Sequence, residues 1–276
     1  KDGPSVVADG EYKGLTLNEY IEKAGKGVLG KNCERFENFP ILIKLIDAKD
    51  NLSVQVHPDN DYAMRVEGEY GKTEMWYVVD CDEGATLLYG FKHEITKEEF
   101  ARRIADNTLL EVTNAVPVKK GDVFFIKSGT LHAIGKGILI AEIQQNSNTT
   151  YRIYDYGRVG KDGKPRELHV DKALDVTKLA PAEQYPETPV EKKDGYDIKL
   201  LSKCEYFTTY RVNVETKAEL DADENSFNSI LVLEGEPVIS GGETVSAKKG
   251  ESVFISAGTG KYTVEGKCTF VLTKID

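Results

Sequence analysis

Four side chains in this 276-residue sequence have types and spacing suited to holding a metal ion. Gln55 and His57 stand two apart in "SVQVHPDND" (53–61). Residues i and i+2 of a strand share a face, so this pair points one way while Val54 and Val56 point the other. Glu74 in "GKTEMWYVV" and His132 in "SGTLHAIG" fall at the ends of two further apolar runs. Imidazole nitrogen and carboxylate oxygen both bind Zn2+ well, whereas an amide oxygen is a neutral, weak ligand. Taken alone, Gln55 and His57 are equally a polar pair closing a strand. His93 precedes a helix and His169 lies in a polar, proline-bearing stretch, so both are expected at the surface.

The elements that must position these residues are mostly strands. "ILIKLIDA" (41–48) and "LSVQV" (52–56) read as strands, as do "EMWYVVD" and "ATLLYGF" around the turn "CDEG". "DVFFIKSG", "GILIAEIQQ" and "TYRIYDY" follow, each bounded by turn residues. Three short helices interrupt them. Thr16 with Glu19, and Thr96 with Glu99, have the spacing of capping boxes for helices over 16–24 and 96–106. Asp59 is placed to cap a third over 58–68. Residues 171–195 hold three prolines, several acids and little apolar periodicity, which predicts a linker. Beyond it come "YDIKLL", "YFTTYRVNV", "SILVLEG", "ESVFISAG" and "CTFVLTKI", all strand-like.

An internal repeat organises these strands. "VKKGDVFFIKSGTLH" (118–132) aligns without a gap to "AKKGESVFISAGTGK" (247–261), with seven of fifteen positions identical, including turn glycines and the Phe-Ile pair. Two copies of such a strand pair predict a mainly β fold of two cupin (jelly-roll) barrels with a few short helices inserted. The alignment sets His132 against Lys261, and no histidine follows His169. The first barrel can therefore carry a metal, and the second cannot by the same means. The expected organisation is an N-terminal mixed segment (1–39) packing on the first barrel and a metal-binding barrel with a helical insertion (40–170). The linker (171–195) and a metal-free second barrel (196–276) complete it.

Bulk properties exclude other classes. The net charge of −10 and the lack of a basic stripe argue against nucleic-acid binding, while leaving room for an anionic small substrate held by a few local Arg and Lys residues. There is no apolar run near 18 residues, and hence no predicted transmembrane helix. No charged-then-apolar leader is visible, so a cytoplasmic location is the expectation. Cys33, Cys81, Cys204 and Cys268 are far apart without a CxxC, which predicts free thiols. A monomer or homodimer is expected.

Three long motifs resemble one family. "QVHPDNDYAMRVEGEYGKTEMWYVV", "SGTLHAIGKG" and "NSNTTYRIYDYGR" are similar to the landmarks of type I mannose-6-phosphate isomerases, also called phosphomannose isomerases, in their short bacterial form. The resemblance covers most of the chain from about residue 40. It implies one zinc per chain, held in the first barrel by Gln55, His57, Glu74 and His132. It also implies a catalytic-site arginine at Arg152, a pocket lysine at Lys72 and an acidic residue for proton transfer at Glu142. Asn148 stands where many members have aspartate, and members usually carry a further stretch ahead of the position of Lys1. The implied substrates are mannose 6-phosphate and fructose 6-phosphate, interconverted through a cis-enediol.

The residues leave parts of this open. Proton transfer needs a positioned base, for which Glu142, Lys72 or a water held by the ion all qualify. Arg152 alternates with Tyr151 and Ile153 and so occupies one strand face, where an ion pair or a substrate contact are both possible roles. Arg158 in "YGRVG" is a reserve substrate or phosphate contact, and Trp76 and Tyr77 are expected to pack the barrel. Competing readings are a cupin oxygenase using Fe2+ on His57, Glu74 and His132, and a non-catalytic sugar-phosphate-binding relative.

Overall fold

The computed structural model describes residues 4–160 and 163–276. The chain forms two compact units, Ile41–Pro186 and a second made of Lys1–Pro40 with Glu187–Asp276. Four α-helices lie among the described residues: α1 (Leu17–Ala24), α2 (Asn60–Val66), α3 (Lys97–Ala105) and α4 (Val170–Val176). Their starts follow local chemistry. Thr16 and Glu19 form the full capping box of α1, and Asp59 accepts from Tyr62 N at 2.9 Å to cap α2. At α3, Thr96 Oγ1 accepts from Glu99 N at 3.1 Å, but the Glu99 carboxylate turns forward to Arg103 Nε at 2.7 Å instead of back to the cap. A charge-assisted i,i+4 pair outcompetes the reciprocal half of the box. No described helix is long and apolar enough to cross a membrane.

Among the described residues, the unit Ile41–Pro186 has nine strands: β1 (Ile41–Ala48), β2 (Val54–Val56), β3 (Glu74–Cys81), β4 (Thr86–Phe91), β5 (Thr113–Pro117), β6 (Val123–Ile126), β7 (His132–Ala133), β8 (Ile138–Gln145) and β9 (Tyr151–Tyr154). They make two antiparallel sheets, ordered β1-β8-β3-β6 and β5-β4-β7-β2-β9. Register decides what lines the interior. In the first sheet Leu42, Gln144 and Glu74 form one cross-strand row, and Lys44, Glu142 and Trp76 the next. Below them comes the apolar row Ile46, Ile140 and Val78. In the second sheet Tyr89, His132, Gln55 and Arg152 form a single row. Alternation places Val54 and Val56 on the opposite face, in a core cluster with Phe100, Ile104 and Ala173 of the helices. Trp76, Val78, Ile126, Ile138 and Ile140 pack a second cluster inside the barrel.

Residues 171–195 are not the expected linker. Lys178 N donates to Gly129 O, Ile95 N donates to Leu179 O, and Pro181 bridges Gly90. Leu174, Val176 and Leu179 pack on the cluster around Phe100. Buried Ala173 and half-buried Leu174, Val176 and Leu179, all ahead of Pro181, tie the stretch to the first unit, and the unit boundary falls at Pro186. His169, expected at the surface, is half-buried and accepts from Arg152 N at 3.2 Å. His93 is exposed as expected.

The N-terminal segment is also reassigned. It was expected on the first barrel, yet it belongs to the unit containing 187–276. Val28, Leu29, Lys31 and Asn32 exchange backbone hydrogen bonds with Ala257, Phe227, Glu224 and Asn225. Phe39 packs its ring 5.3 Å from Phe227 and 6.3 Å from Phe254. Gly30 (φ 87°) permits the approach, because a Cβ there would lie 2.4 Å from Asn225 O. Residues 1–3, at the head of this segment, lie outside the described residues.

The remaining strands of this unit are β10 (Val190–Lys192), β11 (Tyr196–Lys203), β12 (Thr208–Val214), β13 (Lys217–Ala222), β14 (Asn228–Gly235), β15 (Val238–Gly241), β16 (Glu243–Ser246), β17 (Ser252–Ile255), β18 (Gly260–Glu265) and β19 (Cys268–Lys274). They form the sheets β10-β11-β12-β19-β14-β17 and β13-β18-β15-β16 around one apolar cluster. The repeat extends to fine detail. The β3–β8 ladder is irregular between Val78 and Asp80, and the β14–β19 ladder between Val232 and Glu234. Matching these irregularities sets Asn228 in the place of Glu74, and both pair with the isoleucine of the repeat, Ile255 and Ile126. Asn228 Nδ2 donates to Tyr262 Oη at 2.9 Å. Tyr262 is buried while Lys261 is exposed, so Tyr262 takes the inward position that the gapless alignment gave to Lys261. The connection from Ile255 to Tyr262 is one residue longer than that from Ile126 to His132, and a one-residue shift exchanges the faces of a strand.

Candidate metal centre and active site

The first barrel brings three of the four expected ligands into one cluster. His57, Glu74 and His132 are buried, and each offers a ligand atom within 4.8 Å of the others. His57 Nε2 lies 3.5 Å from Glu74 Oε2, and His132 Nε2 lies 3.3 Å from Glu74 Oε1. The fourth, Gln55, is in register with His132 and places its amide Nε2 3.3 Å from His132 Nε2. A half-turn of that amide would present its oxygen to the same point.

The histidine tautomers follow from their second nitrogens. His57 Nδ1 lies 3.0 Å from Thr149 O, and His132 Nδ1 lies 2.8 Å from Thr130 O. A carbonyl only accepts, so each Nδ1 carries the proton and each Nε2 presents a lone pair. Burial first, then the Lys72 charge, pushes His57 down to about 3. Burial likewise lowers His132. Both rings are therefore neutral near pH 7, with their Nε2 lone pairs facing each other at 3.1 Å.

Glu74 completes the donor set. Burial works against its carboxylate, but the Lys72 charge holds it well below the usual carboxylate range. Lys72 Nζ lies 2.8 Å from Oε2 as an ion pair, yet neither Glu74 oxygen receives an aligned hydrogen bond. Burial also opposes the Lys72 ammonium, and Glu74 and Glu142 override it and raise its pKa. Two imidazole lone pairs, an unsatisfied buried carboxylate and a nearby amide are a donor set that a divalent cation fits.

One wall of the site is the polar row of the first sheet. Glu142 is buried and accepts from Lys44 Nζ at 3.1 Å on Oε1 and from Trp76 Nε1 at 2.9 Å on Oε2. Lys72 Nζ is 3.8 Å from Oε1, so Glu142 belongs to the same charged cluster as the ligands. Lys44 Nζ also reaches Gln144 Oε1 at 2.6 Å. Sequence reasoning missed Lys44 and Gln144, although a lysine inside the apolar run "ILIKLIDA" was a legible signal. It also missed the carbonyls of Thr130 and Thr149, which no side-chain pattern reveals.

The arginines stand apart from the ligands in their contacts. Arg152 neighbours Gln55 in the sheet, donates from Nη1 to Glu167 O at 2.9 Å, and leaves a buried Nε without a partner. Burial foremost lowers its pKa. Arg158 donates to Asn51 O at 2.7 Å and pairs with Asp155, which Arg166 also grips at 2.7 Å. Asn148 is exposed, between Ser147, whose carbonyl holds Gln144, and Thr149, whose carbonyl holds His57.

Fold and site together define a two-barrel cupin protein with a buried His/Glu/His centre. A sequence model of the phosphomannose isomerase type I catalytic domain matches residues 1–84, and one of the mannose-6-phosphate isomerase cupin domain matches 197–275. Mannose-6-phosphate isomerase ManA of Bacillus subtilis is 39% identical over 277 residues, covering 100% of this chain and 86% of that protein. A mannose-6-phosphate isomerase of Streptococcus mutans is 39% identical over 92% of this chain and 79% of its own length. The crystal structure of the mannose 6-phosphate isomerase from Bacillus subtilis superposes with a TM-score of 0.91 at 38% identity, covering 98% of this chain and 85% of that one. The chain belongs to the type I mannose-6-phosphate isomerase family.

Proposed function

We propose that the protein is a zinc-dependent aldose–ketose isomerase interconverting mannose 6-phosphate and fructose 6-phosphate through a cis-enediol. One observation carries the reading. In a member of this family, two imidazole lone pairs and an unsatisfied Glu74 carboxylate converge beside a second buried carboxylate, Glu142, clasped by Trp76 and Lys44. Gln55, His57, Glu74 and His132 would hold one Zn2+ per chain. When bound, the ion supplies Lewis-acid stabilisation of the negative charge that develops on the sugar oxygens.

The other steps fall to side chains. Glu142 takes the proton from C2 of the open-chain aldose, leaving a cis-enediolate with its charge on O1; the hydroxyl proton passes from O2 to O1, and Glu142 returns its proton at C1 to give the ketose. Lys72 and Lys44 place ammonium groups beside Glu142, where they hydrogen-bond the substrate oxygens and favour the enediolate over the neutral aldose. Arg152, with an unpartnered Nε next to Gln55, contacts the enediolate or the phosphate, and Arg158 serves as a second phosphate contact. The second barrel, with Asn228 and Tyr262 in place of carboxylate and imidazole, carries no ion in this reading. A phosphorylated sugar substrate is in keeping with the expected cytoplasmic location.

A coupled assay of mannose 6-phosphate conversion, with chelator and then with zinc returned, tests the proposal. Turnover lost on chelation and restored by zinc is the expected result. Turnover indifferent to chelator, or oxygen uptake restored by ferrous ion in place of isomerisation, would overturn it.

A further inference from the structure

We propose that Trp76 is a positioning residue that pins Glu142 Oε2 and so leaves Oε1 as the oxygen that handles the substrate proton. The proposal rests on Glu142 acting as the base in the reaction above. Trp76 is the single tryptophan of the chain, and it is fully buried. Its Nε1–H donates to Glu142 Oε2 at 2.9 Å. The indole edge also meets the His132 ring, with centroids 5.2 Å apart and planes at 79°. One rigid side chain thus touches both a candidate metal ligand and the candidate base.

The chemistry of the indole suits this task. It donates one hydrogen bond, accepts none and does not titrate, so it fixes one carboxylate oxygen without competing for the proton. The groups on the other oxygen are different in kind. Oε1 faces Lys44 at 3.1 Å and Lys72 at 3.8 Å, flexible donors that substrate oxygens can replace. Register makes the arrangement stiff, because Lys44, Glu142 and Trp76 are consecutive cross-strand neighbours on β1, β8 and β3. The same row in the second barrel has Ile230 and Leu272 in place of Trp76 and Glu142, so the pair has no counterpart there.

Trp76→Phe keeps an aromatic ring against His132, removes the donor and leaves a small cavity, so the unfolding midpoint is measured beside turnover. The expected result is a kcat about 10- to 100-fold lower, with KM and bound zinc per chain unchanged, as misplacement of a reacting group predicts. Trp76→Phe added to Glu142→Gln should cost little more, because both act on one contact. Fluorescence of the single tryptophan gives a readout independent of turnover. Glu142→Gln removes the negative charge at the indole N–H, so the emission maximum should shift in the folded full-length chain. Wild-type kcat in Trp76→Phe, losses that multiply in the double variant, or an unmoved emission maximum would each overturn the proposal. A wild-type zinc-loaded enzyme without isomerase turnover would overturn the proposed function instead, and the emission measurement separates that outcome from failure of the Trp76–Glu142 bond.

Discussion

His57 and His132 aim their Nε2 atoms at each other across 3.1 Å, each with its Nδ1–H held by a threonine carbonyl. Facing lone pairs repel; the Lys72 ammonium, 3.2 Å from His57 Nε2, offsets part of this, and a cation among the ligands would offset the rest. Zinc in excess of its Kd should therefore stabilise the fold, by about 2.7 kcal/mol at 100 times Kd. Thermal unfolding with chelator and with zinc restored measures this. Identical midpoints in the two conditions would count against a metal centre.

Glu142→Gln removes a carboxylate that nothing in the core needs for its packing, since the amide retains the shape. Turnover should fall about 100-fold or more if Glu142 moves the proton. Bound zinc should remain at one per chain. Near-normal turnover would remove Glu142 as the base and leave Lys72 or a water held by the ion.

Acid should destabilise the metal-free protein. His57 is depressed to about 3, below its ordinary 6.5, and Glu74 is also lowered. Between those values the unfolded chain binds more protons than the folded one, so stability rises with pH. The His57 contribution is complete above pH 6.5 and is lost as the pH falls toward 3. Unfolding midpoints across this range should drop with acid, and drop less in His57→Asn. Parallel profiles for the two proteins would disprove the assignment.

In the second barrel, Asn228→Ala deletes donors to Asp221 O and Tyr262 Oη in a buried setting. A loss of about 1–3 kcal/mol is expected, with zinc content unchanged. Denaturant unfolding and elemental analysis report the two quantities. Loss of a zinc equivalent would mean that the second barrel binds metal after all.

The sequence by itself determined whatever depends on neighbours along the chain. Alternation placed Gln55 and His57 on one face, opposite Val54 and Val56, and side-chain spacing placed the caps Thr16, Asp59 and Thr96. The repeat located two barrels and the histidine-bearing one, because turn glycines and core residues recur in order. Tertiary structure decided whatever depends on pairing between distant segments. Register across β1, β8 and β3 put Lys44 and Trp76 on the two oxygens of Glu142, contacts between residues 66 and 98 positions apart. One added residue between β17 and β18 turned Tyr262, not Lys261, inward. Packing of Ala173, Leu174, Val176 and Leu179 on the helical cluster assigned 171–186 to the first unit, and the hydrogen bonds of 28–32 assigned the N-terminal segment to the second. Alternation and capping act over a few residues, whereas sheet register and burial are settled only when remote strands meet.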